Sequence, residues 1–326
     1  MTIDKHIAAS IDLGSNTFRL LVAICSAGNL KVLEKKLVTV RLGQDLEENL
    51  LPEHAMEKGF EVLRNFSESL DLYQPCSVRI CGTEALRLAD NSQIFLQKAE
   101  KILRHKIEII TGEEEALLSL AGTLSGYKRR LSGTFILVDV GGGSTEFILA
   151  DETTGKTRVE SMGLGVIGLT KKFIAQPQPD IAIMDAMLAE TISNGLNALQ
   201  FSPKNPSVNI MGCGGTATSM AALDLNLTSY DESLVQGYIL HRNRMEKLWS
   251  KLIALPPDKR NELPCLGQGR GEILPAGIRI YLVILQLMQQ DRMKVSDTGL
   301  LEGILLSALQ DNNSMNSPQH NFIPES

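Results

Sequence analysis

Residues 11–23 read IDLGSNTFRLLVA, and residues 138–150 read VDVGGGSTEFILA. The two stretches align without a gap at an offset of 127, which places Asp12 on Asp139, Gly14 on Gly141, Thr17 on Ser144 and Ala23 on Ala150. Each copy is an apolar run, an Asp-x-Gly turn with small hydroxyl residues, and a second apolar run. That pattern predicts a β-hairpin closed by glycine at positions needing positive φ. A second pair follows in the same order: SVRICGTEALRLA from Ser77 and SVNIMGCGGTATSMAAL from Ser207, the later copy with three extra residues, Cys213 to Gly215. Both read as a short strand that reaches glycine and then a helix rich in Ala, Leu and Met. Two duplicated pairs in one order predict two domains of one topology.

The elements between the repeats are ordinary. The sequence predicts a strand over 32–40 and an amphipathic helix over 52–72, with Met56, Phe60, Leu63 and Phe66 at helical spacing. A strand is expected over 107–110, then a helix over 111–124 that opens on a capping box of Thr111 and Glu114. Lys128-Arg129-Arg130, between Gly126 and Gly133, marks the domain junction. Further helices are expected over 181–199, 242–254 and 273–288, a loop at Pro256-Pro257, a last helix over 296–309, and a polar, disordered tail over 311–326. The domains read as 1–125 together with the last helix, and 126–295.

The chain has 326 residues, 43% of them apolar and 21% charged, with a formal net charge of −6. Such a balance speaks against a nucleic-acid binder held by a basic field. The five cysteines include no C-x-x-C pair and read as reduced, buried thiols. The five histidines show no zinc spacing. The N-terminus lacks a signal-peptide core, and no apolar run reaches spanning length, so no membrane association and a cytoplasmic location are expected.

The glycine turns suit phosphate. Gly141-Gly142-Gly143-Ser144-Thr145 exposes successive N–H groups that form an oxyanion concavity, and its hydroxyls add donors. Asp139, at the strand end, is placed to hold a divalent cation, directly or through water, and Mg²⁺ takes only one or two carboxylates; Glu146 has its side chain near the same turn. Gly214-Gly215-Thr216 opens a helix, whose N-terminal donors suit phosphate, although close packing explains such glycines equally well. Glu113-Glu114-Glu115 begins a helix, where acids are favourable in any case; Glu115 is the one with no capping task. Arg87 stands one turn after Gly82-Thr83, within reach of a phosphoryl oxygen or simply at the surface.

Eight stretches taken together resemble the exopolyphosphatase/guanosine-pentaphosphate phosphatase (Ppx/GppA) family. They are ASIDLGSNTFRLLVA, CGTEALRLADN, IITGEEEALLSLAG, ILVDVGGGSTEFIL, SMGLGVIGLTKKF, GGTATSMAAL, RGEILPAG and VSDTGLLEG. The resemblance implies an α/β protein of two duplicated RNase H-like domains of the actin-like ATPase type, with an interdomain cleft. It implies Mg²⁺-dependent (or Mn²⁺-dependent) release of orthophosphate from polyphosphate or from pppGpp, with guanosine penta- or tetraphosphate as ligands and room for a homodimer. Carried over residue by residue, Glu115 matches the glutamate that positions or deprotonates water. Asp139 and Glu146 match the acids on the metal and phosphate side. Asp12, Ser15, Asn16 and Thr17 match the first phosphate loop, with Asp12 a further candidate metal ligand. Arg87 and Arg270 match phosphate-holding arginines.

Three departures stand out. Gly168 and Leu301 replace arginines common in the family, which weakens the expected grip on a long polyanion. Longer members carry a C-terminal His-Asp-type helical domain for which this sequence leaves no room, which favours short chains or nucleotides. Two other readings stay open: a kinase or ATPase of the same superfold, and a nucleotide-binding regulatory module.

Overall fold

The structure, a computed structural model, describes residues 6–26, 29–44, 46, 49–127, 133–151, 153–176, 180–201, 208–266 and 269–314. The chain divides into two compact units, Met1–Gly122 with Leu300–Ser326, and Thr123–Gly299. The junction expected at Lys128-Arg129-Arg130 lies outside the described residues, and of the tail expected over 311–326, residues 311–314 instead continue the last helix while the rest lie outside the described residues.

Unit 1 contains β1 (His6–Leu13), β2 (Thr17–Ser26), β3 (Asn29–Thr39), α1 (Glu53–Tyr73), β4 (Ser77–Gly82), α2 (Glu84–Leu88), α3 (Ser92–Leu103), β5 (Glu108–Ile109) and α4 (Gly112–Ser125). The boundary between the units falls inside α4. Unit 2 contains β6 (Thr134–Val140), β7 (Thr145–Asp151), β8 (Lys156–Met162), α5 (Val166–Leu169) and a π-helical turn over Thr170–Ile174. It continues with α6 (Ile181–Ala198), β9 (Asn209–Cys213), α7 (Gly214–Asp224), α8 (Glu232–Val235), β10 (Ile239–His241) and α9 (Arg242–Ala254). It ends with α10 (Pro257–Asn261), α11 (Arg270–Leu287) and β11 (Arg292–Val295), after which α12 (Leu300–Ser314) returns to unit 1.

The sheets run β3-β2-β1-β4-β5 and β10-β11-β9-β6-β7-β8. In each, the first hairpin is antiparallel and the next strand joins the first in parallel. Topology therefore repeats, with β10 added to the second sheet. The ladders also correct the sequence alignment of the second repeat. Asp12 pairs with Cys81 and Asp139 with Cys213, so β4 and β9 correspond at an offset of 132 with no insertion inside the strands. Ser77 thus matches Asn209, not Ser207. A two-residue slip went unnoticed in the pattern because it leaves every side chain on the same face.

Alternation along β1 explains what covers it. Ala9, Ile11 and Leu13 enter the main core of unit 1 with Phe18, Phe60, Leu63 and Phe66. On the opposite face Ala8 joins Leu21, Ala23, Leu301 and Leu305. The small Ala8 and Ser10 let α12 lie close, and the Ser10 hydroxyl donates to Leu301 O at 2.8 Å. Asp12 ends that row. Burial on both faces makes the strand mostly apolar, with Ser10 and Asp12 the buried polar exceptions.

Several expected boundaries shift for local reasons. Pro257 starts α10, because its fixed φ suits the first helical position. The last helix begins at Leu300: the N–H groups of Ser296 and Asp297 are taken by Gly212 O and Gln236 Oε1. Gly14 and Gly141 are not left-handed. Each closes its turn by donating its N–H to Thr17 O (3.1 Å) or Ser144 O (2.9 Å), and a Cβ there would press on that same oxygen. Cys25, Cys81 and Cys213 are buried as expected, whereas Cys76 is exposed and Cys265 half-exposed.

Candidate functional site

Every candidate residue of unit 1 stands at or beyond the carboxyl ends of β1, β4 and β5, the edge where α/β sheets receive ligands. Asp12 closes β1 and is 1% exposed. Across the hairpin it pairs in register with Arg19, whose guanidinium donates to Asp12 Oδ2 at 2.6 Å through Nε and lies at 2.5 Å through Nη2. Behind Asp12, burial pushes the Cys81 thiol up to about 12, with Arg79 opposing. The turn Gly14-Ser15-Asn16 is braced by the segment after β3: Val40 and Arg41 donate to Asn16 O, and Gly43 donates to Ser15 O at 2.8 Å. Ser15 is buried and Thr17 begins β2.

The acidic triplet at the start of α4 splits three ways. Glu113 is exposed. Glu114 receives the cap from Thr111, its N–H donating to Thr111 Oγ1 at 3.1 Å. Its carboxylate then turns away from the cap to Arg79 at 2.6 Å, so half of the expected box forms. Glu115 faces Arg87, Oε2 to Nη1 at 3.6 Å, with only 12% of its side chain exposed. Arg87 also donates to Ile110 O at 2.7 Å, which fixes the guanidinium over the start of α4. One turn earlier on α2, burial raises the Glu84 carboxyl above its usual range, with Arg87 opposing.

Unit 2 builds the same edge with other chemistry. Asp139 closes β6 and pairs in register with Glu146. Adjacent carboxylates on one face of an antiparallel pair lie about 5 Å apart at Cβ. Glu146 is 2% exposed and accepts from the Ser161 hydroxyl at 2.9 Å. The turn Gly141–Ser144 is braced from the segment after β8, where Val166 and Ile167 donate to Gly141 O and Gly142 O. Gly165 in that segment has no room for a side chain, since a Cβ would stand 2.2 Å from Gly142 O. Thr145 is spent on structure: fully buried, it donates to Leu164 O at 2.5 Å. The start of α7 comes to the same place. Gly214, at φ +74°, lies so close to Asp139 that a Cβ would meet its Oδ1 at 2.2 Å, and Thr216 donates to Val140 O at 2.9 Å. Arg270 crosses the first turn of α7, its Nη1 donating to Gly215 O and Ser219 Oγ, both at 3.0 Å.

The structure thus brings Asp12, Ser15, Asn16 and Thr17 to one edge of unit 1 and joins Arg87 to Glu115 in the same unit. It brings Asp139, Glu146, Gly141–Ser144, Gly214–Thr216 and Arg270 to one edge of unit 2. Sequence reasoning missed Arg19, Ser161 and Glu84. Arg19 was visible in the repeat itself, since it falls opposite Glu146 at the same offset of 127. Of the two departures from the family, Gly168 has open space around it, whereas Leu301 is 2% exposed and packs in the core beneath α12.

Among the described residues no group of three or more His, Cys, Asp or Glu is assembled as a metal cage. The oxygen pair Asp139 and Glu146 nevertheless fits a hard cation such as Mg²⁺, which relies on waters and substrate oxygens for its remaining positions. Among the described residues no helix is long and apolar enough to cross a membrane.

Twin sheets of matching order, each with an acidic residue closing its first strand before a glycine turn, define the actin-like class of α/β folds. Comparison with known proteins narrows the class. Residues 21–312 match the Ppx/GppA phosphatase family, and the chain belongs to that family. It is 30% identical to a guanosine-5′-triphosphate,3′-diphosphate pyrophosphatase of Vibrio vulnificus over 93% of this chain and 59% of the relative. It is 29% identical to the Aeromonas salmonicida protein of that name, over 93% of this chain and 60% of the relative. The chain therefore spans about three-fifths of the length of these curated relatives. Among solved structures, the Aquifex aeolicus Ppx/GppA family member is 30% identical, with a TM-score of 0.77 over 95% of this chain and 99% of that one. An exopolyphosphatase-like protein at 27% identity reaches a TM-score of 0.85 over 93% of this chain and 97% of that one.

Proposed function

We propose that the chain is a phosphoanhydride hydrolase that releases terminal orthophosphate from inorganic polyphosphate, from the 5′-triphosphate of pppGpp, or from both. The observation that carries this reading is the edge of unit 2. There the Asp139–Glu146 pair, the Gly141–Ser144 turn and the start of α7 under Arg270 converge within one constellation. Backbone N–H groups and a guanidinium bind the oxyanions, and the paired carboxylates hold Mg²⁺. The cation, when bound, neutralises charge on the transferring phosphoryl group. Thr145 drops out of the phosphate-binding set because its hydroxyl is engaged with Leu164. Asp12 drops out of the metal set because Arg19 already neutralises it.

Within unit 1, the group assigned to act on water is Glu115. Glu115 is largely enclosed as a carboxylate facing the Arg87 guanidinium, Oε2 to Nη1 at 3.6 Å. In that state it accepts a proton from the attacking water or aligns it for in-line displacement, a contribution of roughly 10²–10⁴-fold. Arg87 then serves the phosphoryl oxygens as well as Glu115.

The reading is tested by measuring orthophosphate release from tripolyphosphate, long-chain polyphosphate, pppGpp and ATP, with and without phosphoryl acceptors. Release without an acceptor is expected. Glu115→Gln is expected to keep the thermal unfolding profile and lose about 10²–10⁴-fold in rate. Turnover that needs an acceptor makes the protein a kinase, and a fully active Glu115→Gln removes Glu115 from the chemistry.

A further inference from the structure

The loop that follows α7 carries a group for which a bare phosphate chain has no use. Tyr230 is 44% exposed, yet its hydroxyl is tied down and donates to the Asp297 carboxylate. The phenol end also meets the Thr218 hydroxyl and feels the Arg270 guanidinium. Thr218 stands in the first turns of α7 and donates to Gly214 O at 3.1 Å, while Arg270 grips Gly215 O from its own side. The ring is therefore fixed on the flank of the helix start assigned above to phosphate. Its support is itself rigid: the N–H of Asp297 donates to Gln236 Oε1 at 2.7 Å. Earlier in the same loop, Leu227 O accepts from the Cys265 thiol at 3.1 Å.

An exposed aromatic ring anchored at its tip presents one fixed π face. Inorganic polyphosphate has no π face and no apolar part, and a carboxylate at Asp297 repels it. A nucleoside answers both groups. Its base stacks on the ring, and ring N–H, amino or ribose O–H groups donate to the carboxylate, which has about four acceptor positions.

We propose that Tyr230, anchored by Asp297, is a specificity residue that receives the nucleoside of a nucleoside polyphosphate whose phosphates lie at the start of α7. The proposal rests on the phosphohydrolase reading and selects between its two substrate classes.

Calorimetry with two ligands that resist hydrolysis tests it: guanosine 5′-(β,γ-imido)triphosphate and inorganic imidodiphosphate, each with Mg²⁺. The wild-type protein is expected to bind the nucleotide at least tenfold more tightly. Tyr230→Ala is expected to lose about tenfold in nucleotide affinity, the size of one lost base–aromatic stack, with imidodiphosphate affinity held within twofold. Tyr230→Phe, which keeps the ring and loses the anchor, is expected to fall between. Equal wild-type affinity for both ligands overturns the proposal, as does a parallel loss of both in Tyr230→Ala, the mark of a merely structural residue. Orthophosphate release from tripolyphosphate without any nucleotide preference sinks this proposal and leaves the hydrolase reading intact. A Tyr230-dependent nucleotide preference without release from any substrate does the reverse.

Discussion

The two hairpins share one backbone plan and differ by the sign of one charged side chain. At the end of the first strand each has a buried or half-buried aspartate, a glycine turn, and a cross-strand partner in register. In unit 1 that partner is Arg19, which closes an ion pair with Asp12. In unit 2 it is Glu146, which doubles the negative charge beside Asp139. In unit 1 the guanidinium meets one oxygen of the buried acid. In unit 2 two neighbouring carboxylates form an oxygen pair of the kind that suits a divalent cation. The two copies of one scaffold thus differ by a reversal of charge: one sets an aspartate against an arginine, the other sets two carboxylates side by side.

Substitutions at the four paired positions can break that contrast. The largest effect on activity is expected from Asp139→Asn and Glu146→Gln, each lowering orthophosphate release by on the order of 10²–10³-fold with the urea midpoint little changed. If Asp12→Asn costs as much activity with the fold intact, the division between the hairpins fails. The largest effect on stability is expected from Arg19→Ala, which strands the buried Asp12 carboxylate at a cost of about 3 kcal/mol, read as a lower urea midpoint. The double variant with Asp12→Asn is expected to recover much of that loss, because the uncompensated charge is gone.

The braces behind the turns sharpen the comparison further. Gly165→Ala meets backbone at 2.2 Å and is expected to cost about 1–3 kcal/mol together with a fall in activity as the phosphate turn shifts. In the brace of unit 1, Gly43→Ala meets side-chain carbons at 3.0 Å and beyond and is expected to cost less on both counts. The smallest effect belongs to Glu84. Burial raises its folded pKa, so its contribution to stability is fully present below the unfolded value of about 4.3 and is lost as pH rises through the folded one. Glu84→Gln is thus expected to match or exceed wild-type stability at neutral pH and to lose that advantage below about pH 4, which thermal melts across pH read directly. A wild-type advantage that grows with pH contradicts the assignment.

Much of the site was legible in the sequence because its elements are local. The hairpins, the glycine turns and the first turns of α4 and α7 are each formed by residues close together in the chain. Strand alternation and capping patterns then locate Asp12, Asp139, Glu115 and Gly214 without reference to the rest of the chain. The triplet Glu113-Glu114-Glu115 shows the limit. Composition alone makes its members equivalent helix-start acids. The partners that separate them, Arg79 and Arg87, come from β4 and α2, more than 25 positions earlier in the chain.

Side-chain commitments behave in the same way. Thr145 reads as a phosphate donor until Leu164 O is seen to take its hydroxyl, and Leu301 reads as a lost surface charge until α12 packs it against β1 and β2. Local periodicity and the internal repeat are enough to specify two α/β units of one topology and the strand ends where chemistry gathers, because hydrogen-bonded elements depend on neighbours in sequence. Which carboxylate is already neutralised, which hydroxyl is already bonded and which register joins β4 to β1 depend on groups that meet only once the sheets have formed. Those pairings, governed by distance in space and by burial, belong to the folded molecule.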